Sequence, residues 1–196
     1  MGAATMRLMK NLLRMRFRVT TVSTVSSAVA LPLLLPVLIL LLSGCTPTHD
    51  WREIHGDSAP YTVLLPAKPT SQTRQINLSD MPMTMTMTST EVDHVTYAVG
   101  SVAVADPATA KKTMLAMKVA LVAHIDGAVV KERAVDNSDD SQIDLEATGS
   151  PKGESRLVAA RFVAHDKFAY QAIVTGPTKF VSRDNVDTFM TSFKVK

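Results

Sequence analysis

The sequence predicts an α+β domain with a central antiparallel β-sheet packed by two main helices, preceded by an N-terminal signal helix. Two observations predict the domain. Residues 61–105 and 129–175 each contain several short strand-like runs separated by turn residues, with no helical pattern inside them. Residues 107–124 and 183–193 carry apolar side chains at helical spacing. Because strands that follow one another without a crossover helix pair antiparallel, we expect one sheet covered by two helices.

The first run of strands begins with Tyr61–Leu65, which ends at Pro66 because proline cannot donate a backbone hydrogen bond to a neighbouring strand. Residues 74–78 and 94–105 are predicted as further strands. Between them, Met and Thr alternate along residues 81–88, so in a strand the methionines share one face and the threonines the other. The methionines of this face are Met81, Met83, Met85 and Met87.

The first helix is predicted to begin after Asp106, a favourable N-cap residue, with Pro107 at the first helical position. It is predicted to run to about His124, and Gly127 follows as a stop signal. Its apolar stripe consists of Met114, Met117, Leu121 and Val122, with Leu115 and Val119 beside it.

The second half of the domain repeats the order of strands followed by a helix. Residues 129–135 are predicted as a weak strand, and residues 142–148 alternate as a half-buried strand does. Residues 156–164 and 168–175 are predicted to pair as an antiparallel hairpin. Ser182 is predicted to cap the last helix. The apolar stripe of that helix consists of Val186, Phe189, Met190 and Phe193.

The N-terminal region of the chain contains an apolar run that is closed by the segment Leu42-Ser43-Gly44-Cys45. This segment includes the only cysteine of the chain. A basic start, the apolar residues 28–42 and small residues at a cleavage point are the parts of a signal peptide. The segment resembles the lipobox of bacterial lipoproteins. The resemblance implies cleavage between Gly44 and Cys45, thioether lipidation of Cys45 and acylation of its new amine. Three acyl chains exceed the two signals that stable membrane anchoring needs.

This interpretation divides the chain into three parts. Residues 1–44 are the predicted signal peptide, residues 45–59 the lipidated cysteine and a polar tether, and residues 60–196 the α+β domain. Within the tether, Trp51 and Ile54 have the character to dock on the domain as a short helical turn.

Two questions about the N-terminus stay open from the sequence. The apolar run is long enough to span a bilayer uncut, since ~20 apolar residues suffice, although Pro32 and Pro36 interrupt it. The alternative is therefore an uncleaved single-pass membrane protein. Several methionines precede the run, so the true start is also open. They are Met1, Met6, Met9 and Met15.

The net charge of the mature chain argues against nucleic-acid binding. Five of the 21 Lys and Arg precede Cys45, and the remaining 16 stand against 18 Asp and Glu, so the mature chain is near −2. The overall value of +3 comes from the signal peptide. Because basicity is the electrostatic footprint of nucleic-acid binding, no nucleic-acid partner is predicted. With one cysteine there is also no intrachain disulfide, so the core must be held by packing.

Two stretches resemble PsbP-like domains of bacterial lipoproteins and secreted proteins. Residues 61–69 (Tyr-Thr-Val-Leu-Leu-Pro-Ala-Lys-Pro) are similar to their opening strand and turn, and residues 161–174, with the closing segment 189–195, are similar to their C-terminal half. The resemblance covers most of residues 61–196. It implies a central antiparallel sheet between helices and transfers no functional residues, because these domains serve varied binding and assembly roles.

The methionine strand is the sharpest chemical signal in the sequence. Thioether sulfur selects Cu(I), so these methionines, with His94 nearby in the sequence, have the ligand types of a copper site. Alternate residues of a strand lie ~6.6 Å apart, so at most two neighbouring sulfurs can converge on one ion. Packing by flexible methionines is the favoured interpretation and copper handling the alternative. The candidate ligands are Met81, Met83, Met85, Met87 and His94.

No spacing of Ser, His, Cys or acidic residues indicates catalysis or a bound cofactor, so the protein is predicted not to be an enzyme and to need no cofactor. We expect a bacterial envelope lipoprotein with a binding or assembly role. Its predicted partners are the lipid bilayer, through acylated Cys45, and an envelope protein that pairs with an exposed edge strand, for which the Met–Thr strand is the candidate. In the enterobacterial sorting rule for lipoproteins, an Asp directly after the lipidated cysteine implies retention in the inner membrane. Because Thr46 occupies that position, the resemblance implies the outer membrane, facing the periplasm.

Overall fold

A computed structural model describes residues 48–78, 81–136, 140–150 and 153–196 of the chain. The predicted signal peptide and the lipobox lie outside these ranges. The described residues form an α+β structure with a large antiparallel sheet and two helices, which confirms the predicted fold class.

The described residues form ten strands and two α-helices. The strands are β1 (Arg52–His55), β2 (Tyr61–Leu65), β3 (Thr70–Leu78), β4 (Met81–Val92), β5 (Val95–Ala103), β6 (Gly127–Asp136), β7 (Asp140–Gly149), β8 (Arg156–His165), β9 (Phe168–Pro177) and β10 (Lys194–Val195). The helices are α1 (Pro107–His124) and α2 (Arg183–Ser192), and a 3-10 turn (Thr178–Phe180) precedes α2.

Seven strands form the large sheet in the order β3-β4-β5-β9-β8-β7-β6, and every neighbouring pair is antiparallel. Strands β1, β2 and β10 form a small antiparallel sheet in the order β1-β2-β10. Helix α1 packs on one face of the large sheet, while α2 and the small sheet pack on the other. We call these the α1 face and the α2 face. Each face has its own hydrophobic core.

Helix α1 begins as the sequence predicts. The Asp106 carboxylate accepts hydrogen bonds from the backbone N–H and the hydroxyl of Thr109, at 2.9 Å and 2.7 Å. The hydroxyl first, and then the backbone N–H, hold the pKa of the Asp106 carboxyl below its ordinary value. Met114 and Met117 are buried against the sheet, as the predicted stripe requires, whereas Leu115 and Val119 lie outside it.

Helix α2 follows Ser182, which occupies the predicted N-cap position in extended backbone but makes no side-chain capping hydrogen bond. Val186 and Phe189 are buried on the α2 face. The buried Phe193 ends the helix, and the chain continues into β10, which pairs with β2.

The structure corrects the prediction that Trp51 and Ile54 dock on the domain as a short helical turn. Residues 52–55 are strand β1, paired antiparallel with β2. The half-buried Trp51 packs edge-on against Tyr97, with ring centroids 5.9 Å apart. The amide of Asn185 hydrogen-bonds the ring of His49 at 3.1 Å. The sequence did not show this strand because it is four residues long and mostly polar, and it forms by completing the edge of β2.

Candidate functional site

The methionines of β4 share one face, as the alternation predicts, and this face is directed toward α1. Met85 is buried, and Met81, Met83 and Met87 are half-buried on the same face. The hydroxyl of Thr113, on α1, lies 3.8 Å from the sulfur of Met83. Met83, Met85 and Met87 therefore lie under the helix, together with Met114 and Met117 of α1.

Two of these sulfurs approach one buried amide. Gln171 of β9 is 9% exposed, and its Nε2 lies 3.9 Å from the sulfur of Met85 and 3.6 Å from the sulfur of Met87. Gly100 of β5 lies between Met87 and Gln171 in the register of the sheet. A Cβ at Gly100 would fall 2.6 Å from the Met87 sulfur and 2.9 Å from the Gln171 amide nitrogen. The absence of a side chain at Gly100 therefore makes room for this contact.

A cavity of about 270 Å³ opens beside this contact, between α1 and strands β3, β4 and β9. Met85 and Met117 line its wall, and Gln171 adds a polar group. His124, the exposed last residue of α1, also lines the cavity. The remaining lining residues are Ile76, Leu78, Ala120 and Leu121.

His94 is not part of this constellation, contrary to its place among the predicted ligands. It lies in the turn after β4, where Asp93 and His94 have φ values of 50° and 65°. Its ring packs against Phe180, with centroids 5.0 Å apart. It lines a different, largely polar cleft with Arg156 and Lys179. Sequence reasoning missed His124, whose only signal was its helical spacing of seven residues, two turns, from Met117.

The cleft between α2 and the large sheet contains two ion pairs. The Arg161 guanidinium binds both carboxylate oxygens of Asp144, at 2.7 Å and 3.1 Å. It also donates to the carbonyl of Met190 in the last turn of α2, at 2.9 Å. Arg183 pairs with Glu146 at 2.8 Å. These contacts fasten α2 to β7 and β8, so the cleft has a structural role.

The edge strands of the large sheet are β3 and β6. The Met–Thr strand β4 lies between β3 and β5, so its backbone is paired on both sides, and the prediction that it is an exposed edge is wrong. Strand β6 is exposed along almost its whole length. A bulge between Val129 and Lys131 leaves Val130 out of the register with β7.

Exposed apolar side chains gather beside β6. Of the six large hydrophobic side chains that are exposed in the described ranges, five lie on α1 or β6. Val119 and Val129 line a shallow apolar groove of about 410 Å³ between the helix and the strand. We call Leu115, Val119, Val129 and Val130 the β6 patch. Their exposed fractions are 42%, 65%, 44% and 64%.

Ion pairs fix α1 above β6 around this patch. Lys118 Nζ lies 2.8 Å from the carboxylate of Glu132, and Lys111 pairs with Asp136. The lysine contact, followed by the hydroxyl of Ser141, lowers the pKa of the Asp136 carboxyl. The β6 patch is therefore a surface on a positioned helix and strand.

No protein-family model matches the sequence, and no curated protein matches it at a significant level. Within residues 48–78, 81–136, 140–150 and 153–196, no group of three His, Cys, Asp or Glu side chains is placed to hold a metal ion. None of the helices in the part of the chain that the structure describes combines the length and the hydropathy to cross a membrane.

Proposed function

We propose that the protein is a lipid-anchored lipoprotein of the bacterial envelope whose domain binds an extended segment of a partner protein and has no catalytic role. The anchor is supported by the lipobox, with Cys45 as the lipidated residue. A PsbP-like fold is part of the proposal. It is supported by β2 followed by the turn at Pro66 and Pro69, and by α2 leading directly into β10.

The connection between the anchor and the domain is short. Three residues lie between Cys45 and His49, whose ring hydrogen-bonds Asn185 of α2, so the connection spans four residue steps. An extended chain spans at most about 3.6 Å per residue, which limits this connection to about 14 Å. A lipidated Cys45 therefore keeps the start of the domain close to the bilayer. Outer-membrane placement, facing the periplasm, belongs to the same proposal.

The β6 patch is the observation that carries the binding role. An edge strand with unpaired backbone groups is a template for a further strand. Here the edge has an apolar surface beside it, formed by Val119, Val129 and Val130. Isolated exposed apolar residues are ordinary, whereas a contiguous group marks an interaction surface.

The charges of β6 indicate what kind of segment fits. Lys131 and Arg133 lie on the α2 face of the strand, opposite Glu146 and Asp144 of β7. Among the described residues, neither of these two cations forms an ion pair within 4.0 Å. An added strand that carries acidic side chains on that face and apolar ones toward Val129 complements the edge. We therefore commit to an extended, partly acidic segment of an envelope protein.

Site-specific photocrosslinking in the native bacterium tests this surface. A photoreactive amino acid replaces Val130 in the full-length chain, and the matched control replaces Gln72, which is exposed on the opposite edge strand β3. We expect one discrete adduct with a second protein from position 130 and none from position 72. A Val129→Asp substitution should abolish the adduct while leaving the protein in the membrane fraction.

Three outcomes would contradict the proposal. An anchored protein that yields no adduct at position 130, or the same adduct from both edges, would show that the patch has no specific partner. An adduct with twice the mass of the chain would show that a second copy occupies the patch.

Intact-mass analysis tests the anchor separately. We expect the protein from membranes to have the mass of residues 45–196 plus a diacylglyceryl group and an acyl chain, and Cys45→Ala to prevent both changes. An uncut, unmodified mass would instead support the single-pass alternative. Recovery of the lipidated protein with inner-membrane vesicles in a density gradient would overturn the outer-membrane assignment.

A further inference from the structure

We propose that the cavity between α1 and β4 binds one soft monovalent cation, Cu(I) or Ag(I), through the thioethers of Met85 and Met87 and the imidazole of His124. This proposal differs from the copper site expected from the sequence, because His94 and Met81 are not ligands and His124 is. It stands independently of the lipid anchor and of the β6 patch.

Two thioethers already converge on one electropositive group. Both sulfurs lie within 4 Å of the same Gln171 nitrogen, at 3.9 Å and 3.6 Å, so they are separated by 7.5 Å at most. Two metal–sulfur bonds of about 2.3 Å, the length of a zinc–thiolate bond, need sulfurs within about 4.6 Å. The three rotatable bonds of a methionine close that difference without a change in the backbone.

The Gln171 side chain lies in an unusual environment for a buried amide. A buried amide normally finds oxygen acceptors, because leaving it unpaired costs free energy. Among the described residues, its side chain hydrogen-bonds only to the two sulfurs, and thioether sulfur is a weak acceptor. The N–H group thus occupies the position where the sulfur lone pairs can stabilise positive charge. A soft cation interacts with those lone pairs more strongly than an amide does.

The site is open to a ligand from outside. Met85 and Gln171 line an open and largely apolar cavity with a small number of polar groups, as ligand sites are, and Met87 contacts Gln171. His124 lines the same cavity and is exposed. Imidazole is a good ligand for copper, and thioethers distinguish Cu(I) from harder ions such as Mg²⁺ and Ca²⁺. The site therefore combines two thioethers with an exposed imidazole.

Anaerobic Cu(I) titration of the full chain in detergent tests the proposal. The protein carries Cys45→Ala, because the only thiol of the chain would itself capture Cu(I). We expect one Cu(I) per chain, withdrawn from a chromophoric Cu(I) chelator. X-ray absorption should show two sulfur neighbours and one nitrogen neighbour.

Variants assign the ligands. Met85→Leu with Met87→Leu should weaken Cu(I) binding at least tenfold, since even groups behind the ligands change metal affinity by about 10–100-fold. The matched control is Met81→Leu on the same strand and face, which should leave affinity unchanged. His124→Gln, an exposed substitution that leaves the core intact, should remove the nitrogen neighbour and also weaken binding.

The outcomes distinguish the alternatives. Absence of Cu(I) binding by the Cys45→Ala chain would overturn the proposal, as would equal affinity of the Met85/Met87 variant and the parent chain. If Cu(I) binding is lost in His94→Gln and retained in His124→Gln, the nitrogen ligand is His94, as expected from the sequence, and the proposed site is wrong. Because leucine for methionine conserves volume, these variants should remain folded, and Trp51 fluorescence checks this.

Discussion

The two faces of the large sheet are packed by different chemistry. On the α2 face, aromatic rings interlock in edge-on and tilted pairs. Phe189 meets Tyr97 with centroids 5.7 Å apart, and Phe193 meets both Tyr61 and Tyr170 at 5.9 Å and 6.1 Å. On the α1 face, the core consists mainly of methionine, alanine and branched aliphatic residues, with Phe162 as the one aromatic side chain among its described members, and it contains the cavity.

This difference divides two tasks between the two faces. Aromatic pairs have preferred geometries and bury large areas, so the α2 face fixes the position of α2 and the small sheet. Methionine side chains fill irregular space and rearrange at low cost. The α1 face can therefore admit a ligand without loss of the fold, and both proposed binding surfaces include α1.

Truncation of Phe189 should produce the largest effect on stability. Phe189 is fully buried between α2 and the sheet, so Phe189→Ala should lower the free energy of unfolding by about 3–5 kcal/mol. On the α1 face, Met117→Leu should cost less than about 1.5 kcal/mol, because the change conserves volume. Equilibrium urea unfolding, followed by the fluorescence of the only tryptophan, measures both. A loss from Met117→Leu as large as that from Phe189→Ala would show that the α1 face does not tolerate repacking.

Loss of the polar contacts that hold α2 against the large sheet should have the next largest effect on stability. Arg161→Met removes the bidentate pair with Asp144 and the hydrogen bond to the α2 carbonyl, and it should cost about 1–3 kcal/mol. Arg183→Met is the matched control. Its partner is Glu146 and its side chain is 60% exposed, so the expected loss is about 0.2–1 kcal/mol. If the two substitutions cost the same, the contact of Arg161 with α2 contributes nothing.

The parts of the fold that the sequence predicted rest on local signals. Asp106 and Pro107 define the start of α1 within a few residues, and the Met–Thr alternation predicts that the methionines share one face of β4. Strand β1 was missed because its stability comes from β2, which accepts it as a neighbour. A four-residue polar segment contains no hydrophobic pattern of its own.

The composition of the candidate sites depends on long-range packing, which the sequence does not display. His94 is seven residues from Met87, yet the turn at Asp93 directs it toward Phe180. His124 lies 37 residues after Met87 in the sequence and reaches the methionine strand through the path of α1. Likewise, only the strand order shows that β4 is internal and that β6 forms the edge.

Substitution of Gly100 should have a smaller effect on stability than the changes above and a larger effect on Cu(I) binding. In Gly100→Ala the added Cβ displaces the Met87 sulfur and the Gln171 amide, which are flexible ends. We expect a loss of about 1 kcal/mol, at the low end of the cost of overpacking. The displaced sulfur should also weaken Cu(I) binding several-fold in the titration described above. Ala98→Gly, two residues earlier on β5, is the control for backbone effects and should leave Cu(I) affinity unchanged. Unchanged Cu(I) affinity in Gly100→Ala would show that Met87 is not a ligand of the metal.

The smallest effect at neutral pH should come from Tyr170. Its hydroxyl is the only buried side-chain oxygen or nitrogen in the described residues without a hydrogen-bond partner. Because an unpaired buried hydroxyl costs free energy, Tyr170→Phe should be neutral or stabilise the protein by up to about 1 kcal/mol. A loss of stability at pH 7 would show that the hydroxyl has a partner.

The same substitution should also change how the stability of the protein depends on alkaline pH. Burial, followed by the nearby Tyr61 and Asp166, raises the pKa of Tyr170 well above its ordinary value of 10.0. In the unfolded chain the phenol ionises near pH 10 while in the folded chain it stays protonated, so the folded state holds more protons and loses stability as pH rises above about 10. Burial raises the pKa of Tyr61 and Tyr97 in the same direction. Urea unfolding between pH 7 and 11 should therefore show a steep alkaline loss that is shallower in Tyr170→Phe. An equal loss of stability with pH in the parent chain and in Tyr170→Phe would mean that the Tyr170 phenol ionises as easily in the folded protein as in the unfolded chain.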